Sequence, residues 1–158
     1  MKSPLHFILG LLFSIALIAP APASDYTVTA ANVVASSSAS ISRGTAGASI
    51  TAGQVLAINA SNQLVLADAN GASPLMNVAG IALNSASSGQ PVLYVTADAA
   101  FAPGFTVAAN AIVILSATPG GLAPAADNAT GYYLTVVGVG IGSNKLKLDF
   151  HASGVATP

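Results

Sequence analysis

The chain has 158 residues, of which 53% are hydrophobic and only 6% charged, with a formal net charge of −1, no cysteine and no tryptophan. Every acidic residue is an aspartate, and the cations are Lys2, Arg43, Lys145 and Lys147. Acid–base, nucleophilic and metal-assisted catalysis each need several titratable or ligating groups together, so this composition points to no enzyme, with no catalytic, cofactor-binding or metal residues to name. So few cations also disfavour nucleic-acid binding, because nothing is available to neutralise a phosphate backbone.

In chain order, Lys2 and His6 precede the apolar run Phe7 to Ala19, which closes on Pro20-Ala21-Pro22-Ala23-Ser24. A basic start, a short apolar centre and an Ala-x-Ala site read as an export signal over 1–23, cut after Ala23. The alternative is an uncleaved anchor, but the run is shorter than the roughly 20 apolar residues that cross a bilayer. Removal leaves about 135 residues, enough for one domain, with Arg43, Lys145 and Lys147 against five aspartates. Export permits disulfides, yet no cysteine exists to form one, so packing, backbone pairing or oligomerisation has to stabilise the body. The low charge and small side chains favour association with copies of itself or with a larger lattice.

Residues 24–47, with Ser36-Ser37-Ser38-Ala39-Ser40 inside them, have the composition of an extended N-terminal arm that orders on a neighbour by strand addition, or else of a flexible leader. The alternating Tyr26-Thr27-Val28-Thr29 predicts a strand there. From residue 48 onward short strands are predicted at Val55–Ile58, Gln63–Leu66, Val78–Leu83, Pro91–Thr96, Ala111–Leu115, Tyr132–Val139 and Lys145–Phe150, separated by Gly, Ser, Asn and Pro. In the last of these Leu146, Leu148 and Phe150 face inward and Lys145, Lys147 and Asp149 face water. No stretch holds a long 3.6-residue pattern, although the alanine-rich piece Ala97 to Ala102 has the composition for one helical turn.

Two stretches match each other. Thr51-Ala52-Gly53-Gln54-Val55-Leu56-Ala57-Ile58 leads through a polar turn to Leu64, Asp68 and Val78-Ala79-Gly80-Ile81; Ala108-Ala109-Asn110-Ala111-Ile112-Val113-Ile114-Leu115 leads through Thr118-Pro119-Gly120-Gly121 to Leu122, Asp127 and Val136-Val137-Gly138-Val139. The expected architecture is all-β: two similar hairpin-plus-strand units packed face to face in a small single-domain β-sandwich or tulip-like β-barrel over 48–158. Chance self-similarity of an Ala/Val/Gly-rich chain is the competing explanation.

The order Ile50-Thr51-Ala52-Gly53-Gln54-Val55, Val78 to Leu83, Ser88-Gly89-Gln90-Pro91-Val92, Leu115 to Pro124, Thr130-Gly131-Tyr132-Tyr133 and Val137-Gly138-Val139, followed by the tail Leu148 to Val155, resembles the capsid cement or head decoration proteins of tailed bacteriophages. The resemblance covers about Asp25 to Val155. It implies a non-catalytic all-β protein, often a homotrimer, on the virion head surface, with the major capsid protein as partner. The export signal departs from that pattern, since phage heads assemble in the cytoplasm. An exported, periplasmic or extracellular, surface or matrix subunit on the same scaffold is the alternative.

Three kinds of smaller signal remain. Asp149 and His151 supply two members of a serine triad, but no Gly-x-Ser-x-Gly elbow accompanies them and a plain exposed pair is expected. Asp68 and Asp127 are candidates for Ca²⁺ or, by default, turn-capping carboxylates. Asn59-Ala60-Ser61 and Asn128-Ala129-Thr130 match the glycosylation acceptor pattern.

Overall fold

A computed structural model describes residues 24–158; the expected export signal, 1–23, lies outside the described residues. The elements are β1 (Val33–Val34), β2 (Ser40–Thr45), β3 (Val55–Ile58), β4 (Leu64–Leu66), β5 (Gly80–Ala82), β6 (Pro91–Ala97), β7 (Ala102–Pro103), β8 (Ile112–Leu115), β9 (Leu122–Pro124), β10 (Tyr133–Gly142) and β11 (Lys145–Ala156), with 3-10 turns at Ala30–Asn32 and Ala125–Asp127. They form antiparallel sheets of five strands (β2-β6-β5-β3-β4), four strands (β11-β10-β8-β9) and two strands (β1-β7). The protein is all-β, and its sheets are not closed into a barrel. One parallel bridge, Ala46 to Leu64, brings the chain after β2 near the far edge of its own sheet.

The two matching stretches fold into the same module. In both, a hairpin is joined by a third strand on the outer side of its first strand and then by a fourth: β6-β5-β3-β4 in the first and β11-β10-β8-β9 in the second. Equivalent residues hold equivalent registers, Leu56 opposite Gly80 and Val113 opposite Gly138, Ile58 opposite Leu64 and Leu115 opposite Leu122. The turn before each first strand repeats bond for bond. Gln54 N–H donates to the Thr51 carbonyl as Ala111 N–H does to Ala108, and Gly53 N–H donates to Ala82 as Asn110 N–H does to Gly140. Both Gly53 and Asn110 have positive φ, 90° and 63°, a region that glycine enters freely and asparagine more readily than other residues. Asn59 Oδ1 accepts Ser61 N–H in the first hairpin, and Ser116 Oγ accepts Thr118 N–H in the second, each at 2.9 Å.

The two modules pack face against face, and the faces that meet are unlike. The first module turns Val55, Ala57, Ile81 and Val95 toward the inter-module core. The second turns Val113, Leu115, Leu122 and Val137 toward it, and these align with Leu56, Ile58, Leu64 and Ala79, on the opposite face of the first. That opposite face is covered by the chain itself, with Ala46, Ile50 and Ala86 closing a second small core over Leu56, Leu64, Ala82 and Val92. With apolar packing on both sides, β3 reads as the continuous run Val-Leu-Ala-Ile instead of alternating. In β11 the alternation holds: Leu146 and Leu148 are buried, Phe150 is half-buried, and Lys145, Lys147 and Asp149 are exposed.

Residues 24–47 are not an arm held away from the body. Tyr26 N–H donates to Leu122 O, and Thr29 N–H to Gly104 O. The Tyr26 ring stacks on Phe105 at 4.2 Å, β1 pairs with β7, and β2 pairs with β6 along its whole length. Tyr26–Thr29 therefore runs extended without belonging to a sheet ladder. The alanine-rich piece 97–102 forms no helical turn; it leaves β6, bends, and bridges from Phe101 to Leu146.

Candidate functional site

Among the described residues, chemistry-bearing side chains are scattered, and no group of three or more His, Cys, Asp or Glu comes together. His151 Nε2 and Asp149 Oδ1 meet at 2.9 Å on the outer face of β11, with both side chains largely in water. The nearby Ser153 hydroxyl donates to the Val155 carbonyl at 2.7 Å, so it is engaged by its own strand. Alanine at both Asp149 and His151 is expected to lower stability by no more than an exposed ion pair supplies, about 0–1 kcal/mol. Calorimetry checks this, and a larger loss would show the pair holds β11 in place.

Asp68 acts as a turn cap, its Oδ1 accepting Asn70 N–H at 3.1 Å. Asp127 ends the 3-10 turn 125–127. Both acceptor asparagines are engaged: Asn59 Oδ1 takes two backbone N–H groups, and Asn128 Nδ2 donates to Thr157 Oγ1.

The carboxylate that matters structurally carries no motif. Asp98 is 4% exposed and accepts Ser36 N–H at 2.7 Å, the Ser36 hydroxyl at 2.5 Å and Ala100 N–H at 2.9 Å. It ties the segment between β1 and β2 to the end of β6. Burial alone would raise its pKa, but the Ser36 hydroxyl, the Ala100 and Ser36 N–H groups and the Lys145 charge together hold it below the ordinary aspartate value. The stability supplied by a lowered carboxylate is fully present above the ordinary aspartate range and is lost as pH falls through the lowered value. Asp98→Ala is expected to cost roughly 1–3 kcal/mol at neutral pH and to flatten that acid limb. Urea midpoints measured down the acid range check both effects. An unchanged pH profile would remove Asp98 as the latch.

A cleft of about 490 Å³ is open and polar, lined by Thr27, Thr29, Asn32, Ser143, Asn144 and Lys145 among others. The other distinctive surfaces are made of backbone and apolar groups. β2 and β11 are edge strands, and among the described residues nothing pairs with the outer edge of β11 beyond the Phe101 bridge at Leu146 and the Leu148–Asp98 backbone bond. Residues 151–156 are exposed throughout. On the outer face of the second module Ile112, Val139 and Ile141 are 46%, 36% and 49% exposed, with Ile112 directly opposite Val139.

Among the described residues no helix is long and apolar enough to cross a membrane. What the fold defines is a class: a small all-β protein of two like modules stacked front to back. No family model, curated protein or solved structure matches the chain.

Proposed function

We propose that this chain is a non-catalytic structural subunit that binds and stabilises an assembled protein array, in the manner of the phage capsid cement or head decoration proteins its sequence resembles. Its partner is then the major capsid protein and its place the surface of the virion head. The observation that carries the reading is the C-terminal half of β11, where residues 151–156 pair with β10 on one side and, among the described residues, meet no strand on the other. Strand addition there draws affinity from main-chain hydrogen bonds and needs no titratable side chain. Bulges in the β10–β11 pairing, with Gly154 at φ 71°, twist this edge and guard it against indiscriminate pairing.

The test is to mix the purified chain with assembled phage heads and with unassembled capsid protein, then to follow co-sedimentation and the thermal opening of the shell. Binding to shells, with opening moved to higher temperature and the effect weakened by proline at Ala152, is the expected result. Failure to bind any shell would overturn the reading.

A second reading is supported by residues 1–23, whose basic start, apolar run and Ala-x-Ala site fit export. The same subunit then serves in an exported surface or matrix assembly. N-terminal sequencing of the natural product separates the two: a chain beginning at Ser24 favours export, and an intact Met1 in the cytosol rejects it.

A further inference from the structure

The two modules give an internal comparison of what the same surface does when it is covered and when it is not. Val55, Ile81 and Leu83 of the first module align with Ile112, Val139 and Ile141 of the second. Val55 and Ile81 are 0% exposed and Leu83 is packed against the inter-module core, because the second module lies over them. Their counterparts, on the corresponding face of the second module, have none of the described residues over them and remain 36–49% exposed. One end of the stack is capped by Ala46, Ile50 and Ala86; among the described residues the other is open.

We propose that this open face is a homodimer interface, with two copies meeting about a two-fold axis over Ile112, Val139 and Ile141. Head-to-tail stacking, the arrangement of the modules within the chain, is blocked between copies because the face that would receive the open end is filled by the chain's own cap. The same open face is present in a second copy, and a patch that meets itself forms a closed isologous pair.

Charge agrees with that partner. Lys147 sits in the row Ile112–Val139–Lys147, and Asp149 and His151 follow along the same exposed side of β11. A rim carrying both signs complements its own two-fold image, bringing Lys147 toward the partner's Asp149. It presents no net field that would select an acidic or a basic stranger. The proposal stands independently of the capsid reading, since a chain could dimerise without binding a shell.

The purified chain is expected to sediment as a dimer at micromolar concentration. Ile141→Lys is expected to weaken association by roughly tenfold or more, the effect of placing an unpaired charge in an apolar contact. Leu93→Lys, an equally exposed apolar position on the other sheet, is expected to leave the dimer intact. Thermal unfolding and circular dichroism of both variants report that the fold is retained, and Ile112→Thr repeats the test with a residue suited to a strand. A wild-type monomer, or any oligomer that Ile141→Lys and Ile112→Thr leave unchanged, overturns the proposal. A monomer that still coats phage heads overturns it while the capsid reading stands.

Discussion

Truncating Phe101 to alanine is expected to lower stability by about 3–5 kcal/mol, the range for removing a fully buried aromatic ring. Phe101 is 0% exposed and heads the large side chains of the core. It lies in the connection between the modules, not on a long strand of either. Its backbone is held from both directions, donating to Leu146 O at 2.9 Å and accepting Leu146 N–H at 2.8 Å. The ring is thus fixed where the two modules meet, and little around it can collapse into the space it leaves. Small domains have only about 5–15 kcal/mol to lose, so urea unfolding should show a large shift in midpoint. A loss under about 1 kcal/mol would mean that the connection does not belong to the core.

Alanine at Gly80 and at Gly138 is the second large effect. The two glycines are equivalent, each opposite the second residue of its module's first strand. A Cβ at Gly80 falls on the Val95 carbonyl oxygen, and one at Gly138 falls on the Lys147 carbonyl oxygen, both backbone atoms of the neighbouring strand. Side chains could swing aside from such a contact, but a paired carbonyl moves only if the ladder moves with it. Each substitution is expected to cost about 1–3 kcal/mol, and the two losses should be similar. Gly131→Ala, where a Cβ meets nothing within 4 Å but φ is 85°, separates crowding from backbone strain. If one of the paired glycines tolerates alanine and the other does not, the modules are alike in tracing but not in packing.

The long apolar strands were legible because burial wrote itself into composition: Val55–Ile58, Pro91–Thr96, Ala111–Leu115 and Lys145–Phe150 all fall on strands. The module repeat was legible for the same reason, reinforced by turn residues at matching places. β2 was not. Ser40-Ile41-Ser42-Arg43-Gly44-Thr45 lies at an edge, mostly exposed, so it carries no apolar face, and pairing with β6 alone defines it. The unlike-face stacking was hidden as well, because Val55-Leu56 and Ile112-Val113 are apolar in both registers and the sequence does not say which of the two points inward. Asp98 was hidden for another reason: its partner Ser36 lies 62 positions away, in a serine-rich stretch that reads as loose chain. The outward facing of Lys145, Lys147 and Asp149 was plain from alternation, whereas the openness of the face they border depends on how the modules stack, which alternation does not report.

Front-to-back stacking has no inherent end, since every added layer presents the surface that the next one needs. Here the finite size of the particle is set on one side by a short plug built from Ala46, Ile50 and Ala86. Those three apolar residues do for this protein what a terminal repeat does for a solenoid. A chain of the same two layers without them would carry a sticky surface at each pole, and its natural product would be a filament.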